Sequence, residues 1–275
     1  AGKLDEAMRH YQLSLQLFPN EPRTHNNLAV LLVKQGRNAE ALTHYAEAVR
    51  LRPNDAQYHY NHGVALMREK RPAEARASYE TALRLKPDHA DAHYNLAALD
   101  IGEGRLEEAL AHYDAALRAK PGEPEYGAAR GNALIRAGRL PDALAQFDAV
   151  LAQRPQAIDA LYGAGSVLAA LGRPEDARAR FEAVLRAAPS HTGVRFKLGN
   201  TLLDLGRMAE AISQFEALLR LTPQDAEAHH NLGIAFARLE RWDEARREFD
   251  EALRLKPDYA GARKSREQLR SVTGR

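Results

Sequence analysis

Histidines and a recurrent set of asparagines are the side chains here whose type and spacing invite chemistry. His59 and His62 stand three apart and His89 and His93 four apart, spacings that share a helix face and offer paired imidazoles to a metal. The chain has no cysteine, and no recurrent carboxylate completes a four-ligand set. His25, His59, His93 and His229 also fall on one 34-residue period, so a repeated template explains them and no metal is expected. Asn27, Asn61, Asn95 and Asn231 keep the same period. An amide offers two donors and an acceptor, so a row of amides can grip an extended peptide backbone whatever its side chains. Arginine recurs at Arg37, Arg71, Arg105, Arg139, Arg173, Arg207 and Arg241, and again at Arg50, Arg84, Arg118, Arg186, Arg220 and Arg254. Such stripes suit phosphates. Acids stand four residues earlier, however, in Glu80–Arg84, Asp114–Arg118, Glu182–Arg186, Glu216–Arg220 and Asp250–Arg254. That spacing predicts helix-stabilising pairs with the cation at the favourable end of the dipole. No nucleophile–base pair, phosphate loop or metal set assembles, so the chain reads as non-catalytic and free of cofactors.

The elements that position these residues follow from the same period. Pro19, Pro53, Pro87, Pro121, Pro155, Pro189, Pro223 and Pro257 are evenly spaced, and between them run two amphipathic helical stretches joined by a short turn. Residues 1–21 supply the second helix of a truncated repeat. Seven 34-residue units fill 22–257, starting at Pro22, Ala56, Ala90, Pro124, Ile158, Thr192 and Ala226. A charged stretch, Tyr259 to about Ser271, reads as a capping helix within 258–275. The eighth position of each unit is small (Ala29, Gly63, Ala97, Gly131, Gly165, Gly199, Gly233) and the twentieth is always alanine. The twenty-fourth is an aromatic ring: Tyr45, Tyr79, Tyr113, Phe147, Phe181, Phe215, Phe249. Small residues admit a close helix approach, and the ring fills the remaining space. Gly36, Gly104, Gly138, Gly172 and Gly206 end first helices, Pro72 and Pro174 open second ones, and Asn20, Asn54, Asp88, Ser190 and Asp258 are the expected N-caps of the next.

These positions resemble the tetratricopeptide repeat family over nearly the whole chain. The resemblance implies an all-α, right-handed solenoid of antiparallel helix pairs, a single repeat domain over 1–275 whose first helices line a concave groove. Family members are mostly scaffolds that hold peptides or proteins there. On that pattern the sixth and ninth positions face the groove, which places Asn27, Asn61, Asn95 and Asn231 at the sixth and Asn132 and Asn200 at the ninth. The row is similar to the asparagine ladder in the repeat domain of O-linked N-acetylglucosamine transferase, interrupted by Ala129, Gly163 and Lys197. Tyr60, Tyr94, Tyr162 and Phe196 at the fifth position supply anchors for a partner, or packing against the neighbouring helix. Lys197, Asn200 and Asn231 are similar in part to the carboxylate clamp of co-chaperones. The clamp lysine stands one position earlier, where this chain has Phe196, and Gly261 and Ser265 replace its further basic residues.

Two local departures stand out. Gly127, Ala128, Ala129, Gly163, Ala164, Ala169 and Ala170 are small where the pattern has larger groups, reading either as room for a bulky ligand or as a changed helix angle. Asp100 occupies a place filled elsewhere by Leu32, Leu66, Leu134, Leu168, Leu202 and Phe236, so if buried it needs an arginine or histidine partner.

The leading expectation is a protein- or peptide-binding scaffold. The alternative is the substrate-recognition arm of a glycosyl- or sulfotransferase whose catalytic domain lies outside these residues. Thirty-nine basic against 37 acidic residues leave a formal charge of +2, so no nucleic-acid partner is expected. The longest apolar run, 28–33, is too short to insert in a membrane. A soluble chain is expected, in the cytoplasm in preference to the periplasm, and the N-terminal repeat lacks its first helix. The apolar face so uncovered would allow self-association through repeat ends.

Overall fold

The computed structural model describes residues 2–274, which form sixteen α-helices and no strand. Helix α1 is Gly2–Leu17. First helices of the hairpins are α2 (Pro22–Lys34), α4 (Ala56–Arg68), α6 (Ala90–Gly102), α8 (Pro124–Arg136), α10 (Ile158–Ala170), α12 (Thr192–Asp204) and α14 (Ala226–Arg238). Second helices are α3 (Asn38–Leu51), α5 (Pro72–Leu85), α7 (Leu106–Ala119), α9 (Leu140–Gln153), α11 (Pro174–Ala187), α13 (Met208–Leu221) and α15 (Trp242–Leu255), and α16 is Ala260–Thr273. From α2 onward every helix start recurs at 34 residues, which makes this an all-α solenoid of helix pairs. Contacts fall into two compact units, Ala1–Ala133 and Leu134–Arg275, with the division inside α8.

In four hairpins one contact of glycine with an aromatic ring sets the spacing. A Cβ on Gly63 would lie 2.6 Å from the Tyr79 ring, and on Gly165, Gly199 or Gly233 within 2.7 Å of Phe181, Phe215 or Phe249. Each ring therefore occupies the notch left by the missing side chain. The alanines at the twentieth position, from Ala41 to Ala245, are fully buried beside it. Enlarging either small residue forces the helices apart.

The ladder prolines begin turns rather than helices. In the turn at Pro53 the N–H of Asp55 donates to the carbonyl of Arg52, and His89, Ala157, His191, Asp225 and Tyr259 repeat that bond. Proline thus sits second in a four-residue turn, where its fixed φ fits. The following Asn54, Asp88, Ser190 or Asp258 completes that turn, so these residues are not the caps that the sequence suggested. The cap falls one residue later. Asp55 and Asp225 accept backbone N–H bonds at their side chains, as do Glu21, His89 and His191. Position 4 then closes the turn from inside the helix. The carbonyls of Pro19, Pro53, Pro87 and Pro223 accept from Nε2 of His25, His59, His93 and His229, at 2.7–3.2 Å. Arg195 and Arg263 do the same for Pro189 and Pro257. The periodic histidines are clasps on an otherwise unpaired carbonyl.

The i,i+4 pairs expected on second helices do not form. Arg254 turns to Glu251, Arg84 donates to Thr81, Asp250 receives Arg266, Asp114 receives Arg130, and Glu182 receives Arg178. Arginine ahead of six of the seven hairpin second helices instead grips the acid at its third residue: Arg37–Glu40, Arg71–Glu74, Arg139–Asp142, Arg173–Asp176, Arg207–Glu210 and Arg241–Glu244. An acid in the first turn is already favoured by the helix dipole, so the arginine completes a preorganised site. Along α1 and just after it, Ala7 and Tyr11 are half-exposed and Leu17 and Phe18 each 66% exposed. Helix α16 buries Ala262 and Leu269 and turns Arg263, Lys264, Glu267 and Arg270 to solvent.

Gly36, Gly104, Gly138, Gly172 and Gly206 adopt φ between +72° and +78° after first helices. Lys70 and Glu240 hold the equivalent turns at +58° and +59°, where a side chain crowds the backbone. Lys70→Gly and Glu240→Gly should therefore each stabilise the protein by about 1 kcal/mol, read as a rise in the thermal midpoint.

Candidate functional site

Positions 5, 6, 9 and 12 of a first helix lie on one face, opposite the buried positions 7, 8, 10 and 11. In the first unit that face carries Asn26, Asn27, Val30 and Val33 on α2, then Tyr60, Asn61, Val64 and Met67 on α4. On α6 it carries Tyr94, Asn95, Ala98 and Ile101. The amides are braced against one another. Asn61 Nδ2 donates to Asn26 Oδ1 on the neighbouring helix at 2.8 Å, and Gln57 Nε2 donates to Asn61 Oδ1 at 2.9 Å. Asn26 Nδ2 reaches Asn27 Oδ1 at 3.4 Å, and the Asn95 amide lies near the hydroxyls of Tyr60 and Tyr79 and favours their ionised form. Each amide is thus oriented before any ligand arrives, with part of its bonding capacity already used. Asn132, on α8, is exposed.

The fifth-position aromatics are packed as well as presented. Tyr60 lies 6.0 Å from Tyr79 and 4.7 Å from His89, and Tyr94 stacks on Tyr126 at 5.0 Å. All four predicted anchors, Tyr60, Tyr94, Tyr162 and Phe196, stay half-buried. Burial pushes the Tyr60 hydroxyl above its ordinary pKa. Tyr126 and Asp91 escaped the sequence reading. Asp91 accepts a short bond from the Tyr126 hydroxyl and another from Lys120 Nζ at 2.9 Å. Burial opposes the Asp91 charge, but those two donors outweigh it and hold the carboxyl below the usual range. Only the 35-residue separation of Asp91 and Tyr126, one period plus one, hinted at their meeting.

In the second unit Tyr162 lies against Phe181 and His191, and Phe196 meets Phe215 edge-on at 6.2 Å. Asn231 Nδ2 donates to Asn200 Oδ1 at 2.8 Å, while Lys197 is exposed. His230, also missed, stands at the fifth position of α14 and bonds Ser265 and Tyr259 at 3.0 and 3.1 Å. Ser265, which stands where a carboxylate clamp would need a cation, is thus engaged with a neighbour. Gly163 does not open the face: a Cβ there would lie 2.3 Å from Phe147 Cζ. Its smallness serves packing.

Asp100 is 1% exposed and does find its arginines. Its Oδ1 accepts from Arg76 Nη2 at 2.9 Å and from Arg105 Nε and Nη2 at 3.1 and 2.8 Å. Oδ2 has no hydrogen-bond partner and lies 3.8 Å from His112 Nε2. These groups line a cleft of about 510 Å³ together with Glu80, Glu103 and Glu108. Among the described residues no three His, Asp or Glu side chains converge on a metal-sized site, and no helix is long and apolar enough to cross a membrane.

Family models described as tetratricopeptide repeat match residues 66–133, 128–192 and 196–260, and one described as TPR repeat matches 31–70. The chain belongs to the tetratricopeptide repeat family. Among solved structures, MamA from Desulfovibrio magneticus RS-1 is 26% identical with a TM-score of 0.58, over 62% of this chain and 97% of that one. A tetratricopeptide repeat protein from Parabacteroides merdae ATCC 43184 is 19% identical with a TM-score of 0.64, over 90% and 98%. PilW, a type IV pilus biogenesis factor, is 21% identical with a TM-score of 0.66, over 76% and 97%. The latter two share the fold alone. No curated protein sequence matches the chain. The protein is a tetratricopeptide repeat scaffold, an architecture suited to protein interaction.

Asp100 is dispensable to that architecture, because leucine fills its place in most repeats. Replacing a buried ion pair by a packed apolar group is neutral or stabilising, by about 1–4 kcal/mol. Asp100→Leu should therefore raise the thermal midpoint, since Arg76 and Arg105 are partly exposed and can rehydrate. Gly163→Val should lower it, by roughly 1–3 kcal/mol of overpacking against Phe147.

Proposed function

We propose that this scaffold is non-catalytic and holds an extended, largely uncharged peptide or partner segment along its first-helix faces. One observation carries the reading. At positions 5, 6, 9 and 12 of the eight first-type helices, α2 to α16, only Lys197 and Lys264 are charged, in a chain with 28% charged residues. Charge lies mostly on second helices and turns, where salt links hold the helix starts, and on other faces of the first helices. A surface that excludes charge so consistently, with part-exposed Val64, Ile101 and Met67 beside oriented amides, suits a partner that brings apolar side chains and unpaired backbone. The amides of Asn27 and Asn61 would bond the partner's backbone. Tyr60 and Tyr94, already fixed by stacking, would add contact area at little entropic cost.

Selection from a displayed library of 12-residue peptides against the purified protein tests this. Enriched peptides should be low in charge, and their binding should change little with salt. Val64→Glu should abolish capture, and Asn27→Ala should weaken it about fivefold, the worth of one hydrogen bond. Enrichment of strongly charged peptides, or capture indifferent to Val64→Glu, would overturn the reading.

A further inference from the structure

The fold does not need Asp100, and one of its carboxylate oxygens is buried with nothing to bond. Both arginines that reach it, Arg76 and Arg105, bond Oδ1, and both also pair with Glu103. Oδ2 has no hydrogen-bond partner among the described residues, although the side chain is only 2% exposed. A carboxylate oxygen so placed carries a desolvation cost that nothing offsets.

Across from it, at 3.8 Å, stands Nε2 of His112. The tautomer of that ring follows from the turn. The Pro87 carbonyl can only accept, so His93 Nε2 carries a hydrogen. In the neutral ring His93 Nδ1 is then bare and accepts from Nδ1–H of His112 at 2.9 Å, which leaves His112 Nε2 a bare acceptor. Burial, then the facing His93, holds the His112 imidazole below its ordinary pKa of 6.5, so the ring is neutral at pH 7. Two acceptors thus face one another. The rest of the cleft has the same character: four carboxylates line it against two guanidinium groups, and Glu80 and Glu108 make no hydrogen bond or ion pair.

A nitrogen about 2.9 Å from both atoms would see them roughly 80° apart. Two tetrahedral N–H bonds reach both with a bend of about 15° each, within the range of good hydrogen bonds. A metal ion fits less well, since no three His, Asp or Glu side chains converge among the described residues. We propose that this cleft binds an alkylammonium group, from a free amine or a lysine side chain, with Asp100 Oδ2 and His112 Nε2 as its paired acceptors. Glu80 and Glu108 supply the balancing charge. None of these residues stands at position 5, 6, 9 or 12 of a first helix, so the site is separate from the face described above.

The α2–α3 hairpin supplies a control. His25 and His44 make the same Nδ1 contact at 2.9 Å, closed in the same way on Pro19, but no buried carboxylate without a partner faces His44. An NMR titration of the whole protein with n-butylammonium at pH 7.5 should therefore shift the His112 ring saturably and leave His44 in place. Butyltrimethylammonium, with the same charge and no N–H, should bind at least tenfold more weakly. Asp100→Asn should cost tenfold or more, whereas Glu80→Gln, the same charge change on an open carboxylate, should cost about twofold. Asp100→Leu, which the packing favours, should repeat the loss in a variant whose fold is secure. A capped glycine–lysine–glycine peptide separates the sources: competition with butylammonium assigns the site to lysine side chains, and its absence to free amines. No saturable shift of His112, equal binding of the two ammonium probes, or binding indifferent to Asp100→Asn would overturn the proposal.

Discussion

The structure depends on one contact: an aromatic ring of the second helix seated where the first helix has no side chain. The rings of Tyr79, Phe181, Phe215 and Phe249 fill notches at Gly63, Gly165, Gly199 and Gly233. Because interiors pack to near-crystalline density, the ring fixes both the separation of the helices and their rotation. That rotation decides which side chains of the first helix remain outside. Amides and tyrosines at positions 5 and 6 are presented because positions 7, 8, 10 and 11 are consumed by the hairpin.

Around that contact the polar groups divide their labour. Proline carbonyls left over by the turns are closed by histidine or arginine at position 4, and helix starts are held by arginine–acid pairs. Both devices place charged groups at hairpin junctions, and of the charged residues positions 5, 6, 9 and 12 of the first helices carry only Lys197 and Lys264. Asp100 is the departure: a buried carboxylate drawing Arg105 away from the acid at the third residue of its own helix, and facing His112 across an unfilled hydrogen-bonding position.

The helix pairs, the notch and the chosen rings were legible because they repeat, and a seven-fold repeat averages out local ambiguity. The asparagine row was legible as a row. Its state was not: Asn61 and Asn231 bond neighbours one repeat away. The caps were placed one residue early because proline and its successor close a turn before the helix begins. The arginine pairs were assigned to i,i+4 partners because linear spacing cannot weigh those against an acid on another helix, such as Asp250 receiving Arg266. Gly163 shows the same gap, since its smallness answers to Phe147, sixteen residues earlier.

Period, side-chain size and turn chemistry alone determined the fold, because each is local and recurs. Tertiary structure decided how the polar atoms are spent. Hydrogen bonds are directional and short, so whether an amide, an imidazole or a buried carboxylate is satisfied depends on tenths of an ångström between helices. The histidine pairs are the clearest instance. In sequence they are nineteen-residue spacings among many, and only the packed hairpin turns them into rings sharing a single proton.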